Sequence, residues 1–260
     1  LKFMTGLSVA LALGATCVFS ALAADPKPDA VLKTKNIAAR VLLDDTIRAD
    51  PALAADCLAE GRNWLDKSAA EAAATRKTDP ELFRDRAWEF ERNYTVDSVV
   101  GGRYVSIVRS EYTDTLGAHP NSDTNTILWD RTENKRISIR PFFNETADNG
   151  PTMKAMMKAV IASLRIEKKK RDVPDVDGDD WVKNIKPSLL KIGAVTLAPS
   201  TEIGKSAGLK FYYPPYAVGP YVEGAYGAFV PWEALKPHLS PEGLRIFGGQ
   251  RPKTDGDEGQ

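Results

Sequence analysis

Hydrophobic residues in this chain recur with two different periods, and the switches between them mark out its elements. After Asp50-Pro51, residues Leu53, Cys57, Gly61, Trp64, Leu65 and Ala72 fall at helical spacing through about Thr75. Asp as N-cap and Pro at the first helical position signal the start. From Trp88 the period drops to two: Trp88, Phe90, Tyr94 and Val96 alternate as a half-buried strand requires. Gly101-Gly102 predicts a hairpin turn into residues 103–112, where Tyr104, Val105, Ile107 and Val108 continue the apolar pattern. Residues 113–123 read as a loop containing Gly117-Ala118-His119-Pro120-Asn121. Residues 125–130 and 135–139 then make a second hairpin. Ahead of the helix, residues 31–44 lean toward β and read as one strand.

Helical spacing returns after Asn149-Gly150-Pro151, with Met153, Met157, Val160, Ile161 and Leu164 on one face and a basic run at 168–171 closing it. A third helix is predicted from Asp179 or Asp180, burying Trp181, Ile185, Leu189 and Leu190. Strands follow at 194–197, 209–213 and 225–230, then a short helix at 232–239. Consecutive hairpins build an antiparallel sheet, and helices packed on it give an α+β fold. The expected organisation is a leader at 1–24, one α+β domain at 25–248 and a polar, disordered tail at 249–260.

One stretch breaks both periods. Residues 211–232, FYYPPYAVGPYVEGAYGAFVPW, concentrate Tyr, Phe and Trp with interspersed Pro and Gly. Proline fixes φ, glycine permits reversals and aromatic rings carry large contact areas, so one shaped conformation is expected. The alternating positions Phe211, Tyr213 and Phe229 are assigned to the core, and Tyr216 and Tyr221 to the surface.

Charge removes some function classes. Lys and Arg number 35, as do Asp and Glu, which gives no basic footprint for nucleic acid. The segment from Leu7 to Ala24 is apolar behind Lys2 and ends in Ala21-Leu22-Ala23, the pattern of a signal-peptidase site. The competing reading is a retained anchor, since about 18 apolar residues is the lower limit for a span. After cleavage no membrane span is expected and Cys57 is the single cysteine, so an exported, periplasmic or secreted chain would depend on its core rather than a disulfide.

Two blocks together resemble a known family. They are Gly117-Ala118-His119-Pro120-Asn121 followed by the strand-like TNTILWD of 124–130, and the Tyr/Pro segment running on through 239. In this order they are similar to the extracellular region of RsiV-like anti-sigma factors and to the accessory region of the peptidoglycan deacetylase PdaC. The resemblance implies an α+β domain facing the cell wall and, from the RsiV side, direct binding of lysozyme. Only the binding module is expected to carry over, because about six residues precede the apolar run and few follow residue 240.

Candidate chemistry is sparse. His119 reads either as a ligand contact or general base, or as a loop histidine whose ring fixes the turn. His238 reads as a cap or surface residue. The acids of DVPDVDGDD around Gly178 suggest calcium, but Val173 falls at the first ligand position, so an acidic helix lead-in is the plainer account. Cys57 lies on an apolar stripe and reads as a small buried hydrophobe. No hydrolase, zincin or phosphate-loop motif is present, and neither a catalytic residue, a metal nor a cofactor is expected. The ligand-contacting residues expected are His119, Asn121, Tyr216 and Tyr221. The function expected is non-catalytic recognition of a lysozyme-like muramidase or of peptidoglycan. The alternative is a cell-wall hydrolase or deacetylase using His119.

Overall fold

The computed structural model describes residues 27–256 apart from 177 and 179, so the expected leader lies outside the described residues. Among the described residues no helix is long and apolar enough to cross a membrane. The chain opens with β1 (Ala30–Lys33) and β2 (Ile37–Leu43), then the short α1 (Asp45–Arg48) and the long α2 (Pro51–Thr78). Strands β3 (Trp88–Val100), β4 (Tyr104–Asp114), β5 (Asn121–Asp130) and β6 (Lys135–Ile137) follow in succession. Together they form a six-stranded sheet in chain order. Its neighbours are antiparallel except β2 and β3, which pair in parallel because α2 returns the chain before β3 begins.

The single strand expected over 31–44 is instead the β1–β2 hairpin. Thr34 Oγ1 accepts the N–H groups of Asn36 at 3.0 Å and Ile37 at 3.2 Å, and this local turn competes with a continued strand. Helix α2 starts as predicted, with the Asp50 side chain accepting the Leu53 N–H at 3.2 Å. Its buried stripe of Leu53, Cys57, Gly61, Leu65 and Ala72 packs on Ile37, Val41, Tyr94, Val105, Ile107 and Trp129. Each large apolar side chain buried there contributes about 1.5–3 kcal/mol.

The alternate positions of the same strands, Tyr104 and Leu128, belong to a second core. It is completed by α3 (Pro151–Lys170) and a three-stranded antiparallel sheet of β7 (Ala194–Leu197), β8 (Gly208–Tyr213) and β9 (Tyr226–Pro231). Helix α3 buries Met153, Met156, Val160 and Leu164, with Met157 and Ile161 only half-buried. Strand β7 is an edge, yet its backbone meets hydroxyls of the large sheet. Ser98 donates to Leu197 O, Ser106 Oγ accepts the Leu197 N–H at 3.0 Å, and Thr126 Oγ1 accepts the Val195 N–H at 2.9 Å. This seam satisfies an otherwise open edge and fixes how the two sheets meet.

Two further expectations are corrected. The third helix is only a 3-10 turn, Trp181–Asn184. Pro187 has no N–H to continue a helix and biases Lys186 away from helical backbone, so Leu190 is left 94% exposed. Phe229 is not a core residue: in the β8–β9 register Phe211 faces Ala228 and Tyr213 faces Tyr226, which sends Phe229 to the opposite face opposite Lys210. Within the polar stretch from 249, the described residues make contacts with the rest of the fold. Gln250 pairs with Thr201, and Asp255 accepts from Lys210 at 3.1 Å and pairs with Arg251. Helices α4 (Trp232–Leu235) and α5 (Pro241–Ile246) precede it.

Candidate functional site

Two loops meet at one place on the surface. The first joins β4 to β5. Asp114 Oδ1 accepts the Leu116 N–H at 2.8 Å, and Leu116 itself is left-handed at φ 65°. The second lies between β8 and β9. There Ala217 N–H donates to Pro214 O at 3.1 Å, with Pro215 and Tyr216 between them and Tyr216 at φ 70°. That is a turn with proline at its second position and a positive φ at its third, where glycine or asparagine is usual. Tyrosine there costs about 1–3 kcal/mol. The side chain so placed is 50% exposed.

The rings converge. His119 and Tyr221 stack with centroids 4.2 Å apart and planes 26° apart. Tyr216 lies 5.5 Å from Tyr221 and 6.5 Å from His119. One carbonyl organises the pair: Tyr221 O–H donates to Pro120 O at 3.1 Å, and His119 Nδ1 is 2.9 Å from the same oxygen. Asn121, exposed, opens β5 two residues later, in register with Thr113. The structure thus brings together His119, Tyr216 and Tyr221, while Asn121 is near them only through the chain, two residues after His119.

Tyr221 is held from beneath by groups that sequence reasoning missed. It sits on the 3-10 turn Tyr221–Glu223. Lys168 Nζ lies 3.2 Å from Glu223 Oε2, and Tyr226 O–H donates to the same carboxylate oxygen at 2.6 Å. Arg171 donates to Glu223 O at 3.0 Å and Ala225 O at 2.9 Å while its guanidinium lies 4.2 Å from the Tyr226 ring centroid. The sequence shows Lys168 only as the first residue of the basic run that closes α3, and in the fold it is 1% exposed. The signal that finds it is spacing, since Val160, Leu164 and Lys168 continue one stripe at four-residue intervals.

Beside the rings lies a cleft of about 560 Å³. Its walls are Thr124 to Thr126 of β5, Ser138 to Arg140, Asn184 and Ile185, Leu189 to Lys191, the start of β7, and Tyr212 and Tyr213 of β8 with Pro214 and Ala217. Pro214 and Ala217 flank Tyr216 in the same turn, so the ring cluster and the cleft share a wall.

The other candidates take structural roles. His238 Nδ1 is 3.4 Å from Thr152 Oγ1, at the start of α3, where the Glu145 carboxylate accepts the Thr152 N–H at 2.7 Å and the Ala147 N–H at 2.9 Å. Those backbone N–H groups, with the Thr152 hydroxyl first among the causes, hold the Glu145 carboxyl below its usual range. Cys57 is fully buried, and burial pushes its thiol up to about 12, well away from nucleophilic use. Among the described residues His119 meets the rings of Tyr216 and Tyr221 and the Pro120 carbonyl, while the Asp114 carboxylate is engaged by Leu116 and Arg86. Among the described residues no three His, Cys, Asp or Glu side chains are grouped to hold a metal ion. Asp177 and Asp179 of the acidic run lie outside the described residues.

The region that carries Lys168, Tyr216 and Tyr221 is also the one that comparison picks out. Residues 150–233 match a family model described as a protein of unknown function, DUF3298. The matched segment runs from α3 through β9, while His119 and the six-stranded sheet precede it. Two solved structures are similar to the chain. A DUF3298 family protein from Pseudomonas aeruginosa PAO1 is 17% identical, with 82% of this chain and 88% of that one covered at a TM-score of 0.49. A DUF3298 family member from Bacteroides fragilis NCTC 9343 is 14% identical, with coverage of 82% and 89% and a TM-score of 0.48. No curated protein matches.

Proposed function

We propose that the chain is an exported, non-catalytic binding module of the cell envelope, periplasmic or secreted. Its contact surface is the His119, Tyr216 and Tyr221 ring cluster with Asn121 at its edge, and its ligand is peptidoglycan or a lysozyme-like muramidase. The observation that carries this reading is the convergence of three partly exposed rings from two separate loops. Tyrosine is rigid and amphipathic, so it presents contact area at little cost in conformational entropy. The left-handed Tyr216 adds weight, because an unfavourable backbone that displays a ring is the kind of strain found at contact sites. The resemblance to the RsiV and PdaC regions supplies the ligand classes.

The test is retention on purified sacculi and on immobilised hen lysozyme. Wild type is expected to be held by one of the two, and Tyr216→Ala or Tyr221→Ala to weaken that binding by about tenfold or more, the scale of an aromatic anchor. Retention on neither material refutes the proposal.

A further inference from the structure

The cleft that shares a wall with the ring cluster has a lining chemistry of its own. Among the described residues no Asp or Glu lines it, whereas two cations do, Arg140 and Lys191. The chain as a whole has equal numbers of acids and bases, so an acid-free lining of this extent is a local bias. Both cations are on exposed residues. Arg140 donates one N–H to Thr146 Oγ1 at 3.1 Å, which orients the guanidinium and leaves its other donors available.

The rest of the lining is suited to a polar ligand with small apolar groups. Asn125 and Asn184 supply amides, Thr124 and Ser138 supply hydroxyls, and Leu189 and Leu190 supply apolar surface. Asn184 Nδ2 also reaches Ala217 O at 3.5 Å, tying this wall to the turn that carries Tyr216. Ligand pockets are clefts of a few hundred Å³ with apolar walls and a small number of placed polar groups, and this cleft, lined by strands of both the large sheet and the small one, has that make-up.

We infer that this cleft is a subsite for a carboxylate-bearing N-acetyl sugar, with Arg140 and Lys191 facing the carboxylate and the asparagine amides facing the acetamido group. The inference rests on the module reading and narrows its ligand to an acidic glycan chain whose next ring lies against Tyr216. A neutral N-acetyl sugar would make the amide and apolar contacts but leave the two cations without a counter-charge. The discrimination is therefore electrostatic, and it is sensitive to salt.

Calorimetric titration of the full chain with two probes tests this. One is the disaccharide of N-acetylglucosamine and N-acetylmuramic acid, and the other is chitobiose, which lacks the lactyl carboxylate. The acidic disaccharide is expected to bind about tenfold more tightly, the worth of a charge-assisted contact at a half-open site, and to lose that margin as salt is raised. Arg140→Gln with Lys191→Gln is expected to bring its affinity down to that of chitobiose while chitobiose is unaffected. Arg140→Gln also removes the donor to Thr146 Oγ1, so a native circular-dichroism spectrum with a cooperative melt serves as the folding control. Equal affinities in wild type, binding of neither probe, or a preference that survives the double substitution would each overturn the subsite. A chain retained on sacculi that shows no such preference fails here alone. A chain retained on neither sacculi nor lysozyme fails the module reading whatever the ratio.

Discussion

Replacing Lys168 by Met isolates what holds the ring cluster in place. The substitution keeps most of the buried stem and removes the ammonium that lies 3.2 Å from Glu223 Oε2. At an effective dielectric near 20 the attraction at that separation is about 5 kcal/mol, and desolvation of the two groups opposes it with a similar magnitude. The intact pair is therefore close to balanced, and the damage comes from leaving one partner behind. Breaking a fully buried pair costs about 3–5 kcal/mol. Glu223 is still 17% exposed and keeps the Tyr226 hydroxyl at 2.6 Å, so part of that penalty is relieved. The expected loss for Lys168→Met is about 2–3 kcal/mol. Urea unfolding followed by circular dichroism reads it, in a cycle with Glu223→Gln. The double variant is expected to be less destabilised than the sum of the singles by at least about 1 kcal/mol. Exchange of the Gly224 N–H, which donates to Tyr221 O at 2.9 Å, is expected to accelerate because the turn beneath Tyr221 has lost its anchor. A Lys168→Met midpoint equal to wild type, or strictly additive singles, would refute the reasoning.

The remaining expectations come from other parts of the fold. Gly208 has φ 149° and a Cβ there would stand 2.1 Å from Val230 O, so Gly208→Ala is expected to cost more than about 3 kcal/mol. A urea midpoint close to wild type would contradict that. Asp130 is held below the usual carboxylate range, chiefly by hydrogen bonds from Arg103 at 2.6–3.1 Å. A carboxylate depressed in the folded state contributes stability in full above its unfolded value, about 4, and loses it as pH falls through the lower folded value. Asp130→Asn is therefore expected to flatten the acid limb of the stability profile, and an unchanged slope there would exclude the assignment. Tyr216→Gly removes the left-handed penalty and is expected to leave stability equal or up to about 1 kcal/mol higher while binding falls. Loss of stability would show that Tyr216 is a packing residue. Ser106→Ala leaves the buried Leu197 N–H without its 3.0 Å acceptor and is expected to cost about 1–3 kcal/mol. A neutral result would mean that the seam does not bear on stability.

How far the sequence could be read depended on whether the governing interaction was local. Helix α2 was legible because Asp50, Pro51 and the apolar stripe lie within one segment and agree. The β3–β4 hairpin was legible because Gly101 and Gly102, at φ 58° and 67°, carry its turn chemistry themselves. The third helix failed because the spacing of Trp181, Ile185 and Leu189 was weighed without Pro187, which ends the element within a turn. Phe229 failed for another reason. In β9 both faces carry rings or apolar groups, so a one-residue change of phase leaves the pattern looking the same, and only pairing with β8 fixes it. For the candidate site, the exposure of Tyr216 and Tyr221 was legible because they fall outside the alternating strand positions assigned to the core. The cleft depends on contacts across tens of residues, which no window of sequence contains, whereas the place of Lys168 on the Val160–Leu164 stripe was there to be read and only its partner Glu223 is distant.

That division explains why the ring cluster is where it is. Its two loops belong to different sheets, so neither sheet alone determines their separation. The seam does: β7 is fixed to β3, β4 and β5 through Ser98, Ser106 and Thr126, and β8 follows β7 in register. Tyr213 at the end of β8 then donates its hydroxyl to Ile192 O, closing the base of the turn that starts at Pro214. On the far side Lys168 and Arg171 fix the turn that carries Tyr221. A surface set from both ends in this way would lose little entropy on binding the proposed ligand, because its loops have rigid bases. The same construction couples the cleft to the rings, since one turn, Pro214 to Ala217, forms the wall of both.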